Sequence, residues 1–127
     1  MLLYLVKNSI PDIANPIREL SKLLDAPTPV SFKEMLRVIK YALDTKEYGL
    51  RVDPTKEKDE YWELVCFCDS NCAGDPDTCK NVTGYVLYVK GVLVCWKPKA
   101  QRTVTLTSTE AEWVALSEAT KEIIFVL

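Results

Sequence analysis

Two spacings of apolar residues divide this chain. In the first fifty residues they recur every three or four positions, as Ile17, Leu20, Leu23 and Leu24, and again as Phe32, Met35, Leu36, Ile39, Ala42 and Leu43. That is the stripe a helix turns toward a core. Asn15-Pro16 sets a capping residue before a proline at a first helical position, and Pro27 and Pro29 stop that helix. Ser31-Phe32-Lys33-Glu34 has capping-box spacing, in which serine and glutamate satisfy each other's free backbone donors, and it opens a second helix. From Arg51 to Glu60 the chain is charged and almost without apolar residues, which marks a boundary. Beyond it, Trp62 to Asp69 is a run of β-formers apolar on both faces, followed by a polar loop from Ser70 to Asn81. Val82 to Val89, a Lys90-Gly91 turn and Val92 to Trp96 make an antiparallel hairpin. After the basic connector from Lys97 to Arg102, hydroxyls and early glutamates at Thr107-Ser108-Thr109-Glu110 announce a helix. Trp113, Leu116, Thr120 and Ile123 or Ile124 fall on one side of it, with Glu112 beside that stripe. The pattern predicts an α+β chain with a helical segment over 1–50, a charged linker over 51–60, and three antiparallel strands and a helix over 61–127.

Composition narrows the chemistry. With 48% hydrophobic and 27% charged residues the chain is globular rather than disordered. Its net charge of −2 disfavours a free-standing phosphate-gripping domain. Histidine is absent, which removes Ser-His and Cys-His dyads, His-ligated zinc and any imidazole base. Cys66, Cys68, Cys72 and Cys79 cluster without a paired C-x-x-C knuckle, and Cys66 and Cys68 share one strand face as small hydrophobes, so no zinc is expected. The apolar opening Met1 to Val6 has no basic residues before it and no small-residue cleavage site after it, and it is too short for a bilayer. The expectation is an intracellular protein, cytoplasmic or nuclear, not secreted and without a membrane partner.

Acid chemistry therefore falls to carboxylates. Asp69 closes a strand and Glu112 lies near a helix start, and two such groups can share a divalent metal in phosphodiester chemistry. The plainer reading is a strand-end aspartate and a helix-start glutamate. Lys97, Lys99 and Arg102 either contact phosphates or form a solvated basic loop. Tyr85, Trp96 and Trp113 fall at core-compatible positions and are expected to pack rather than to stack on bases.

The motifs carry a resemblance. Leu2-Leu3-Tyr4-Leu5, Pro11-Asp12-Ile13-Ala14, Glu19-Leu20-Ser21-Lys22 and Arg37-Val38-Ile39-Lys40-Tyr41 resemble the connection segment after the polymerase core in copia-type LTR retrotransposon polyproteins. Cys68-Asp69-Ser70-Asn71-Cys72-Ala73-Gly74-Asp75, Thr83-Gly84-Tyr85, Trp96-Lys97-Pro98-Lys99-Ala100-Gln101 and the run from Ser108 to Leu116 resemble the ribonuclease H domain that follows. The resemblance implies the first half of an RNase H-like fold, with Asp69 and Glu112 as the catalytic and metal residues. Mg²⁺ or Mn²⁺ would be the cofactor and an RNA/DNA hybrid the partner. Glu112 is preferred to Glu110 because it directly precedes the bulky apolar residue, leaving Glu110 to serve the helix N-terminus. The family's later aspartates match no residue here and Met1 aligns inside the family's chain, so the expectation is an element fragment, inactive alone, with its carboxy-terminal half missing. The strand from 62 to 69 would then be an edge, open to self-association. The alternative function is a noncatalytic interaction module or a relic.

Overall fold

A computed structural model describes residues 2–53, 61–71 and 80–127. Most of the charged linker, from residue 54, lies outside the described residues, as do Cys72, Asp75, Asp77 and Cys79 of the polar loop. The chain is α+β and divides into two compact units, Met1–Arg51 and Val52–Leu127.

The first unit is helical: α1 (Leu2–Asn8), a 3-10 turn at Pro11–Ile13, α2 (Ala14–Ser21) and α3 (Pro29–Asp44). Its core is Ile13, Ile17 and Val38, with Leu2, Leu5, Val6, Ile10 and Leu20 packed against them. Both helix starts differ from the sequence expectation. α2 grows directly out of the 3-10 turn, so Asn15 lies inside its first turn, where its Oδ1 accepts from Nε and Nη2 of Arg18 at 3.2 Å. Pro16 is tolerated there because first-turn N–H groups have no intrahelical acceptor. Pro29 opens α3 rather than stopping its predecessor. Thr28 is the cap: its hydroxyl accepts from the Ser31 backbone N–H at 3.1 Å, and the Ser31 hydroxyl accepts from that of Thr28 at 2.9 Å. Glu34, expected in the box, instead pairs with Arg37 at 2.6 Å. Val38 is the buried residue of α3, while Phe32, Leu36 and Leu43 of the expected stripe are exposed. Phe32, Met35, Ile39, Ala42 and Leu43 line an open apolar hollow of about 1280 Å³ within this unit. Val38 wins the core because the face carrying Ile13 and Ile17 packs on its side of α3.

The second unit is a three-stranded antiparallel sheet of β1 (Leu64–Asn71), β2 (Val82–Val89) and β3 (Val92–Ala100), in that spatial order, followed by α4 (Ser108–Val126). The β2–β3 turn puts Lys90 at φ 48° and Gly91 at φ 76°, the positive angles a two-residue type I′ hairpin requires. β1 begins two residues later than expected. Trp62 precedes it, exposed, with the Lys90 ammonium 5.2 Å from its ring centre. The expected basic connector is largely strand, because β3 runs on to Ala100. Pro98 is admissible there since β3 is an edge strand and can forgo one N–H.

Register decides the faces of the sheet. Thr83, Tyr85 and Leu87 of β2 are buried, and their partners on β1 are Ser70, Cys68 and Cys66; directly opposed residues share a face. α4 covers this face with Ala111, Ala115 and Ala119, each no more than 1% exposed. The expected stripe is thus displaced, since Trp113 is 66% exposed and Leu116 is also exposed. Methyl side chains spaced four apart let a helix lie close on a sheet, and turning that ridge inward rotates the bulky residues out. Of the aromatics expected to pack, Tyr85 is buried and Trp96 half-buried, but Trp113 is not packed. Among the described residues, no helix is long and apolar enough to cross a membrane.

Candidate functional site

The end of the sheet where β1 finishes and α4 begins is held by buried polar groups. Asn81, Thr83 and Gln101 are at most 5% exposed. The Gln101 side-chain Nε2 donates to Thr83 Oγ1 at 3.0 Å and to the Ala111 carbonyl at 2.9 Å, and its backbone N–H donates to the Asn81 carbonyl at 2.8 Å. The first turn of α4 is therefore tied to Thr83, whose partner across the ladder is Ser70. Asp69 is the next residue on β1 and Glu112 the next on α4. Both expected metal residues consequently belong to one end of the unit.

Their settings differ. Asp69 opposes Gly84, on the sheet face turned away from α4, and its Oδ1 accepts from the Ser70 N–H at 2.8 Å. A Cβ on Gly84 would meet nothing within 4 Å, so the rung beside Asp69 is open. Glu112 is exposed, flanking the buried Ala111. Glu110 serves the helix start as expected: its Oε2 accepts from the Leu106 N–H at 2.8 Å, while its own N–H donates to the Thr107 hydroxyl at 3.1 Å. Exposed carboxylate oxygens suit a hard cation such as Mg²⁺, which keeps several waters and binds through one or two carboxylates. Among the described residues no group of three or more His, Cys, Asp or Glu side chains could hold a metal ion together.

The three cations have separate fates. Lys97 and Lys99 lie on the α4 side of β3, opposite Tyr85 and Thr83. Lys99 forms an ion pair with Glu118 of α4, which also holds Lys121 at 2.8 Å. Hydrogen bonds from Lys121 and then Lys99 hold the Glu118 carboxyl down at about 2. Lys97 and Arg102 are exposed. Burial pushes the Cys66 and Cys95 thiols up, and burial with the Glu122 carboxylate raises the Tyr85 hydroxyl, so these groups stay neutral beneath α4. Asn81, Thr83 and Gln101 were missed in the sequence. Asn81 and Thr83 continue the period-two face of Tyr85 and Leu87, which was the available signal.

Comparison with known proteins supplies the class first. The chain is a retrotransposon-derived region: it is 31% identical over 127 residues to the Retrovirus-related Pol polyprotein from transposon TNT 1-94 of Nicotiana tabacum, covering 98% of this chain and 9% of that protein. It is 27% identical over 113 residues to the Pol polyprotein from transposon RE2 of Arabidopsis thaliana, covering 89% of the chain and 8% of that protein. The chain thus spans under a tenth of these Pol polyproteins. It is also 36% identical over 124 residues to the Secreted RxLR effector protein 161 of Plasmopara viticola, covering 98% of this chain and 84% of that protein, and it belongs to that protein's family. No protein-family model and no solved structure matches the chain.

The last relative corrects one expectation. A chain that is intracellular and not secreted conflicts with a match along almost its whole length to a protein named as secreted. The expectation rested on Met1 to Val6 failing as a leader. In the structure Leu2, Leu5 and Val6 belong to a helix packed on the core, so their composition reports on packing and not on export.

Proposed function

We propose that this chain is the connection segment and first half of the RNase H-like domain of a copia-type retrotransposon polyprotein. In that setting it contributes Asp69 and Glu112 to a metal-dependent nuclease acting on the RNA strand of RNA/DNA hybrids. The observation that carries the reading is the Gln101 tie, which joins Ala111, the neighbour of Glu112, to Thr83, whose partner across the ladder is Ser70, the neighbour of Asp69. The Pol relatives support it. Asp69 and Glu112 would hold Mg²⁺ or Mn²⁺, which when bound lowers the pKa of a bound water and stabilises the leaving oxygen. The open rung at Gly84 leaves Asp69 accessible from the face away from α4. Lys97 and Arg102 are free to meet backbone phosphates, whereas Lys99 reaches them only by leaving Glu118. Two carboxylates bind Mg²⁺ weakly without further ligands, so the isolated chain is inactive and cleavage needs the acidic residues of neighbouring polyprotein segments.

A second reading is favoured by the relative named as a secreted effector, of which this chain covers 84%. Here the chain is a noncatalytic interaction module that docks a partner, or a second copy, through the edge strand β1. One experiment separates the two. Labelled RNA/DNA hybrid with Mg²⁺ or Mn²⁺ is incubated with the chain, with the chain extended by the downstream segment of the TNT 1-94 polyprotein, and with the extended Asp69→Asn, Glu112→Gln double variant. Cleavage by the extended chain alone, lost in the double variant, is the expected result. No cleavage by any of the three rejects the nuclease reading and leaves the interaction module.

A further inference from the structure

We infer that Gln101 is the positioning residue of this site, fixing the first turn of α4, and with it Glu112, against the Asp69 end of the sheet. For its consequence at the metal this rests on the carboxylate-pair reading above. The Ala111 carbonyl can only accept, so the amide must present Nε2 to it. The second hydrogen of Nε2 then goes to Thr83 Oγ1, which lies within bonding distance at 3.0 Å. Gln101 Oε1 is the atom left over, buried and without a partner. A buried acceptor without a partner costs free energy, and the amide remains because its two donors span strand and helix. The Ala111 carbonyl is also the helical acceptor for the Ala115 N–H, so the tie acts on the turn that carries Glu112. Farther along, α4 meets the sheet through the methyl groups of Ala115 and Ala119, contacts that allow sliding, and through the partly exposed Lys99–Glu118 ion pair, whose long flexible lysine stem tolerates it. Gln101 supplies the directional bonds that set where the helix starts.

The test uses the purified chain, with amide hydrogen exchange by NMR and Mn²⁺ as a paramagnetic probe. Gln101→Glu keeps the size and the oxygen but removes both donors. It should speed exchange at Ala115 about tenfold or more, leave Leu87 of β2 within about twofold, and raise severalfold the Mn²⁺ concentration that broadens the Glu112 signal. Thr83→Val should act in the same direction more weakly, with Thr83→Ser restoring the wild-type pattern. Equal acceleration at Ala115 and Leu87, or none at Ala115, overturns the inference. If Gln101→Glu does not fold, the Thr83 pair decides, and indistinguishable Val and Ser variants overturn it. A wild-type chain in which Mn²⁺ broadens neither Asp69 nor Glu112 rejects the metal reading, while the exchange pattern still settles the role of Gln101.

Discussion

Replacing Glu118 by glutamine tests the electrostatics of the helix–sheet interface and the availability of Lys99 together. Glu118 accepts from Lys121 at 2.8 Å and from Lys99, with 27% of its side chain exposed. Its carboxyl is held at about 2 against a usual 4.5. A difference of about 2.5 pH units, at about 1.4 kcal/mol each, sets a ceiling of roughly 3 kcal/mol. Lys99 is 34% and Lys121 67% exposed, and water and salt screen such pairs, so the retained contribution is about 1 kcal/mol. Because the folded value lies below the unfolded one, the stabilisation is complete above about pH 4.5 and disappears as pH falls toward 2. Urea unfolding of wild type and Glu118→Gln, followed by tryptophan fluorescence, should therefore show a gap of about 1 kcal/mol near neutral pH that closes across that window. A gap of equal size at neutral pH and near pH 2, or none at neutral pH, would refute the reasoning. The same variant frees Lys99. If that lysine contacts phosphates, hybrid binding at low salt should tighten severalfold, and unchanged binding would remove Lys99 from the contact set.

Other outcomes follow from burial and capping. Leu87 is fully buried under α4, and Leu87→Ala should cost about 2–5 kcal/mol in urea unfolding of the second unit. Ala115→Leu should cost about 1–3 kcal/mol by overpacking, whereas Trp113→Ala should stay within about 0.5 kcal/mol; the reverse ranking would mean that the bulky stripe, and not the alanine ridge, faces the sheet. Thr28→Ala removes the side-chain acceptor of the α3 capping box, the bond from the Ser31 N–H, and leaves the backbone N–H bond to the Ser31 hydroxyl; it should cost about 1 kcal/mol, read from the thermal loss of helical circular dichroism.

Much of the secondary structure was legible in the residues because it depends on near neighbours. Val82 to Val89 forms a strand, Lys90-Gly91 turns with positive φ, and a helix starts at Ser108 behind a hydroxyl cap; each is settled by side chains within a few positions. Asp69 and Glu112 were singled out by their motifs. Faces were another matter. Spacing alone gives Trp113 and Leu116 as good a claim to the core as Ala111, Ala115 and Ala119, and only a sheet requiring close approach selects the small side chains. Val38 displaced the expected stripe of α3 for a related reason, since the packing partner determines which side is buried. Gln101 read as part of a basic connector, and its importance comes from meeting Thr83 and Ala111, 18 and 10 residues away. Local order thus follows from the covalent neighbourhood of each residue, while the choice of face and the gathering of Asp69 and Glu112 at one end require the surface against which each element packs.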